Sequence, residues 1–293
     1  MANIAFLGLG VMGYPMAGHI AAAGHKVTVY NRTAAKAEAW VAQYGGGNRG
    51  ALAPTPAAAA GGADVVLSCV GDDPDVLEVA LGPEGAIPAM RAGAIYIDNS
   101  TVSAEVARKL AAAGGERGIG VLDAPVSGGQ AGAENGKLTV MVGGAQGDFD
   151  AGLPVMQCYG ARVVRMGEAG TGQQAKMVNQ ICIAGVLQGL SEGLNFAIEA
   201  GLDTDALLEA ISGGAAQSWQ MVNRGETMVR NEFDFGFALD WMRKDLRICL
   251  EEAARTGAPL PVTEIVAGYY GELSAAGHGR NDTSALIRRL QKG

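Results

Sequence analysis

The sequence lacks the residues and spacings of a disulfide framework or a metal centre. Its four cysteines, Cys69, Cys158, Cys182 and Cys249, are far apart and form no C-x-x-C pair, and His19, His25 and His278 show no metal-ligand spacing. Three of the cysteines fall inside apolar runs, so the set reads as reduced core residues of a cytoplasmic protein, with no metal expected. Lys and Arg number 22 against 30 Asp and Glu, for a net charge of −8, and they gather into no run or stripe. That argues against a nucleic-acid partner but not against a small anionic substrate, which a few local cations can hold. No apolar stretch approaches 18 residues without a glycine or a charge, so no membrane span and no membrane partner are predicted. The opening MANIAFLGLG lacks the basic flank of a signal peptide and reads as a buried strand. Charged residues at 18% are too few for a disordered chain, and 48% hydrophobic residues over 293 positions can fill one large or two ordinary domains.

The first informative segment lies at the N-terminus. Asn3–Leu7 is a short apolar run, followed by Gly8-Leu9-Gly10-Val11-Met12-Gly13, a helical pattern over Tyr14–Ala23 and a second strand pattern over Lys26–Tyr30. Strand, glycine turn, helix and strand form the context in which G-x-G-x-x-G binds a dinucleotide. Gly8 permits the tight turn, Gly10 lets the backbone approach a pyrophosphate, and Gly13 lets helix and strand pack closely. The helix N-terminus adds N–H groups and partial positive charge. After the second strand comes Asn31-Arg32-Thr33, where an acidic residue would have bound the ribose of NAD. An amide, a guanidinium and a hydroxyl suit a 2′-phosphate instead, which favours NADP over NAD.

Strand patterns recur at Asp64–Val70, Ala94–Asp98, Gly120–Asp123, Leu138–Val142 and Ala161–Met166, with a helix over Ala104–Gly114. Strands that alternate with helices predict a mostly parallel, doubly wound sheet whose ligands bind beyond the carboxyl ends of the strands. The Gly8–Gly13 turn, Val70-Gly71, Ser100-Thr101 and Ser127-Gly128-Gly129 all follow strands and should gather on that edge. Gly45–Gly47 and Ala57–Gly62 read as loops or helix ends. From residue 169 to 201 the chain reads as one helix of roughly 40 Å, with Met177, Ile181, Ala184, Leu187, Leu190, Leu194 and Ile198 on its apolar face. Lys176, Asn179 and Gln180 share another face of it. Further helices are expected over Ala206–Ile211, capped by Asp203-Thr204-Asp205, and around Ser218–Arg230, Ala238–Thr256, Pro261–Gly277 and Ser284–Gln291. The fold class is therefore an α/β Rossmann-type, doubly wound N-terminal domain (1–165) plus an all-α C-terminal domain (166–293), joined by a long interdomain helix. Trp219, Phe233, Phe235 and Trp241 are core residues or walls of a pocket in the helical part.

Four segments in this order, FLGLGVMGYPMA at Phe6–Ala17, DAPVSGG at Asp123–Gly129, GTGQQAKMVNQ at Gly170–Gln180 and RKDL at Arg243–Leu246, resemble the β-hydroxyacid dehydrogenase family. That family includes 3-hydroxyisobutyrate dehydrogenase, tartronate semialdehyde reductase and the glyoxylate/succinic semialdehyde reductases. The resemblance spans the whole chain. It implies NAD(P)-dependent hydride transfer on a small carboxylate substrate, with Lys176 as the catalytic residue. By the same resemblance, Asn179 and the Ser127-Gly128-Gly129 loop hold the substrate, Lys244 lies on the nicotinamide side, and the protein is a homodimer or homotetramer. Gly71 stands where many relatives carry proline. Ser127 is followed by Gly128 rather than the arginine of some tartronate semialdehyde reductases, which argues against that substrate. Imine reduction on a related scaffold is the alternative enzyme reading, and Lys176 weighs against it. A catalytically silent dinucleotide-binding protein is the alternative of another class.

The expected chemistry can be stated from the residues. Hydride transfer at an alcohol carbon requires the hydroxyl proton to move as well, and a lysine beside the hydroxyl can take or return it. An ordinary lysine, with a pKa of about 10.4, suits the acid role at neutral pH; burial or a neighbouring cation shifts it toward the base role. The N–H groups of Ser127, Gly128 and Gly129, with the Ser127 hydroxyl, can bind a carboxylate without a side-chain clash.

Overall fold

The computed structural model describes residues 1–291. The chain divides into two compact units, Met1–Lys176 and the residues from Met177 on.

The first unit is built on one sheet with strands β1 (Asn3–Leu7), β2 (Lys26–Tyr30), β3 (Gly50–Leu52), β4 (Val65–Ser68), β5 (Ile95–Asp98), β6 (Gly120–Asp123), β7 (Val126–Ser127), β8 (Leu138–Gly143) and β9 (Gly160–Gly167). Their order is β3-β2-β1-β4-β5-β6-β8-β7, and β9 pairs with β8. The first six run parallel in the order of a doubly wound dinucleotide-binding sheet. Beyond β6 the direction reverses: β8 pairs antiparallel with β6 and β7, so this end of the sheet is mixed.

Residue patterns explain these places. The central strands β4 and β5, VVLS and IYID, are buried at all four positions, as strands covered by helices on both faces must be. KVTVY in β2 alternates between buried and more exposed positions instead, and the outer β9 is exposed or half-buried at every position after Gly160. One apolar layer forms around Phe6, Ile20, Trp40 and Ile97, and a second on the opposite face around Leu7, Val66, Tyr96 and Leu110. The sequence reading lacked β3 and β7. Of the two readings of Ala57–Gly62, loop or helix end, the second holds for its first part: Pro56–Ala60 is a short helix with Pro at its start, and the Thr55 hydroxyl accepts the Ala58 N–H at 3.1 Å.

The helix Thr171–Glu199 begins in the first unit and runs into the second. In the second unit, Met177, Ala184, Leu187, Leu190 and Leu194 are buried, at the spacing expected of one helix face. The helices Leu239–Thr256 and Pro261–Leu273 supply Met242, Leu246, Val266 and Tyr270 to a cluster with Ala184 and Leu187. A second cluster gathers Leu194, Met228, Phe233 and Ile287. The expected cap is present, Asp203 accepting the Asp205 and Ala206 N–H groups, and Ser218 caps the next helix by accepting the Met221 N–H. One expectation is corrected. Cys182 is exposed rather than part of the core. The long helix, by length and composition, is apolar enough to cross a membrane despite its glycines and charges, with 33% of its most apolar window buried. The same composition suits a core helix, and its buried stripe already packs in the second unit.

Candidate active site

The glycine turn follows β1 at the point where strand order reverses, with β2 on one side and β4 on the other. Gly8 has φ +99, and a Cβ there would strike the Cys69 carbonyl; a Cβ at Gly13 would strike the Gly8 carbonyl and approach Phe6. Both glycines are therefore demanded by the fold itself. Gly10 differs: a Cβ there would meet no protein atom within 4 Å. The space over Gly10 is left open by the protein, as a backbone approached by a pyrophosphate requires, so the turn fits a dinucleotide. Leu9, Gly10, Val11, Tyr14, Lys36 and Gln130 line a cavity of about 480 Å³ beside it. Lys36 is a cation absent from the sequence-derived set.

Asn31 has an internal role that its motif did not reveal. Its side-chain oxygen accepts the Leu9 N–H at 2.8 Å, and its amide donates to the Thr33 carbonyl at 3.0 Å. Arg32 is far more exposed, with 88% of its side chain accessible and only a 3.4 Å ion pair to Asp75. Thr33 is the residue before the helix Ala34–Tyr44 and does not cap it with its side chain. Val70 donates its N–H to the Ser100 hydroxyl at 2.9 Å, which links the loops after β4 and β5; Gly71 and Thr101 belong to those same loops.

Beneath these loops lies a buried acidic pair. Asp98 and Asp123 end β5 and β6 and are register partners in the parallel ladder. Asp98 Oδ1 accepts the Ser68 hydroxyl at 2.8 Å and the Ser100 N–H at 3.1 Å, while its Oδ2 has no hydrogen-bond partner among the described residues. Burial pushes its pKa up from 3.8 to about 6, against the Ser100 and Ser68 hydrogen bonds and with help from the Asp123 charge. Burial raises Asp123 from 3.8 to about 6 as well, opposed by backbone N–H groups of Gly170, Gln173 and Gly172.

Ser127 belongs to the two-residue β7, and Gly128 (φ +130) and Gly129 (φ +61) turn the chain into the helix Gly129–Glu134. A Cβ on Gly129 would meet nothing, so its face is open, as anion binding by backbone groups requires. Lys176 is 8% exposed, one helical turn after Gln173. A buried lysine three residues beyond an anchored helix start is not the solvated residue that a helix terminus alone would suggest.

In the second unit, Asn179, Gln180, Asp245 and Lys244 form a chain. Asn179 Nδ2 donates to Gln180 Oε1 at 2.7 Å, and Gln180 Nε2 donates to Asp245 Oδ2 at 2.5 Å. Lys244 Nζ lies 3.1 Å from Asp245 Oδ1, in an ion pair buried at both ends (11% and 1% side-chain exposure). That spacing satisfies the charge but not hydrogen-bond geometry at Oδ1. The carboxylate accepts only, so it fixes which way the Gln180 amide faces, and Gln180 in turn fixes Asn179. Of the four aromatics, Phe233 is core, whereas Trp219, Phe235 and Trp241 are exposed. Arg224 lies 5.0 Å from Trp219 and 4.8 Å from Phe235, and Lys244 5.7 Å from Trp241. Among the described residues no metal-ligating cluster exists.

A parallel 3-2-1-4-5-6 arrangement of β1–β6 with this glycine turn defines a dinucleotide-binding domain. Residues 3–167 match the family of the NAD-binding domain of 6-phosphogluconate dehydrogenase, and residues 170–290 that of the NAD-binding domain of NADP-dependent 3-hydroxyisobutyrate dehydrogenase. An uncharacterized oxidoreductase of Shewanella frigidimarina is 57% identical over 100% of this chain and 99% of its own. The 2-hydroxy-3-oxopropionate reductase of Escherichia coli is 34% identical over 99% and 97%. The structure of Mycobacterium tuberculosis 3-hydroxyisobutyrate dehydrogenase with L-serine superposes with a TM-score of 0.88 at 32% identity, covering all of both chains. The chain belongs to the β-hydroxyacid dehydrogenase family.

Proposed function

We propose that the protein is an NADP-preferring dehydrogenase or reductase acting on a small β-hydroxyacid or the matching semialdehyde, with Lys176 as general acid/base. The observation that carries this reading is a nearly buried Lys176 one turn into a helix tied to the ends of β5 and β6. The family matches and the hydroxyacid chemistry in the relatives' names support it. A nicotinamide dinucleotide whose pyrophosphate is held at the Gly8–Gly13 turn would supply or take up the hydride. In the oxidising direction neutral Lys176 takes the substrate hydroxyl proton on Nζ as the carbon gives up hydride. In the reducing direction its ammonium returns a proton to the carbonyl oxygen. Ser127 and the N–H groups of Gly128 and Gly129 hold the carboxylate, Asn179 orients the neighbouring hydroxyl, and Lys244 stands on the nicotinamide side. Arg32 and Thr33, with Lys36 as a further cation, favour the 2′-phosphate. Exposed Val178, Val186 and Phe196 on the long helix support a homodimer or homotetramer.

The test is turnover with NADPH and NADH on glyoxylate and succinic semialdehyde, and with NADP and NAD on 3-hydroxyisobutyrate, tartronate and serine. Turnover of at least one substrate is expected, slowed on the order of 10²- to 10⁴-fold in Lys176→Ala. No turnover on the panel, or an undiminished rate in Lys176→Ala, would overturn the reading.

A further inference from the structure

We propose that Asp123, with Gln173 as its second leg, is the positioning residue that sets where Lys176 emerges from the sheet edge. The inference rests on Lys176 being the general acid/base.

The start of the long helix has no local cap: the Thr171 hydroxyl donates to the Glu168 carbonyl at 2.7 Å and is used there. The first N–H groups of a helix have no intrahelical acceptor, and here they are satisfied from the end of β6. Asp123 Oδ1 accepts the Gly170 N–H at 2.7 Å, and Oδ2 accepts the Gln173 N–H at 2.9 Å. The two oxygens thus grip the helix start on either side of Thr171 and Gly172, at a terminus whose partial charge favours an anion. The fit is close. A Cβ on Gly172 would come within 2.6 Å of the Asp123 carbonyl oxygen and 2.5 Å of that of Met141, and one on Gly143 would strike the Asp123 carboxylate.

Gln173 supplies an independent grip. Wholly buried, it donates from Nε2 to the Ser100 carbonyl at 2.8 Å and accepts the Val102 N–H on Oε1 at 3.1 Å. The helix start is therefore fixed to the end of β6 and to the loop after β5 that carries Thr101. Lys176 follows within one turn, so little backbone freedom separates the grip from the lysine. A neutral serine or threonine could cap a helix at less cost than a carboxylate that burial pushes up to about 6. The carboxylate provides what a hydroxyl cannot, two acceptors a fixed distance apart that set both tilt and rotation of the first turn.

Asp123→Asn tests this, because it keeps the shape but turns one acceptor into an NH₂ facing an N–H. With NADPH and the substrates above, kcat is expected to fall on the order of 10- to 100-fold, the scale of a misplacement of roughly 1 Å. The dissociation constant for NADPH, read from its fluorescence, is expected to stay within about twofold of wild type. Because Asp123 acts through Lys176, the double variant Asp123→Asn/Lys176→Ala is expected to be no slower than Lys176→Ala alone. An unchanged kcat in Asp123→Asn, a parallel loss of NADPH affinity, or additive losses in the double variant would each overturn the proposal. Lys176→Ala at the wild-type rate would instead show that the general acid/base reading had failed. If Asp123→Asn is insoluble, Gln173→Met removes the second grip and goes through the same measurements, and an unchanged kcat overturns the proposal equally.

Discussion

The backbone N–H of Leu9 donates to the side-chain oxygen of Asn31 at 2.8 Å, joining the turn after β1 to the residue that follows β2. Because the Asn31 amide also donates to the Thr33 carbonyl, its orientation is fixed from both sides. The residue braces the glycine turn from within the protein. Asn31→Ala should therefore weaken NADPH and NADH by a similar factor, about 3- to 10-fold for one lost hydrogen bond, and leave their ratio unchanged. Fluorescence titration with both coenzymes measures this. A ratio that moves with the substitution would return Asn31 to the phosphate-recognising set.

Arg32 carries the cofactor preference in our reading. Its guanidinium is largely exposed and only loosely paired with Asp75, so little internal structure depends on it. Arg32→Asp should raise the KM for NADPH by about tenfold or more, the loss of one or two charge-assisted hydrogen bonds plus a repulsion. NADH should be unaffected or improved, and the unfolding midpoint should shift little. If the NADPH/NADH ratio of kcat/KM does not change, the 2′-phosphate is not read at Arg32.

Two glycines of one turn should respond differently to the same methyl group. Gly13→Ala drives a Cβ into the Gly8 carbonyl and against Phe6, an overpacking that typically costs about 1–3 kcal/mol of stability. Gly10→Ala places its methyl where no protein atom lies within 4 Å, so the melting temperature should hold while coenzyme affinity drops. Melting curves and NADPH titrations on the two variants separate the effects. A Gly10→Ala protein that binds NADPH normally would mean that the pyrophosphate does not pass over Gly10.

How much was legible beforehand follows from the range of each signal. Runs such as IAFL and VVLS announce doubly covered strands because both faces must be apolar, and the glycine turn announces itself because Gly8 and Gly13 are demanded locally. β3 and β7, three and two residues long, exist only because β2 and β8 lie beside them, and no periodicity can be read in so few positions. Asp123 sat inside a recognised motif, yet its role depends on partners 47 and 50 residues away. Gln173 carries no sequence signal of its own within GTGQQAKMVNQ and is wholly buried. The available hint was that two neighbouring strands, IYID and GVLD, both end in an acid, an expensive arrangement at a buried sheet edge.

Asp98 gives that expense a measurable pH dependence. Its pKa is about 6 in the folded protein against an ordinary 3.8, so the fold favours the protonated form. The stability it confers is fully present below about pH 4 and is lost as pH rises through 6. Asp98→Asn cannot ionise and escapes that loss, and Asp123 loses a like-charged neighbour. The buried NH₂ lies where Oδ2 has no partner, which costs the variant a fixed amount at every pH. The melting temperature of Asp98→Asn relative to wild type should therefore improve between pH 5 and pH 7.5. The expected gain is about 1–1.5 kcal/mol, or about 2–4 °C for a domain of this size. Thermal unfolding of both proteins at the two pH values decides it. A difference that stays constant would mean that Asp98 titrates as an ordinary carboxylate, and one that shrinks as pH rises would mean that the ionised form is the one the fold stabilises.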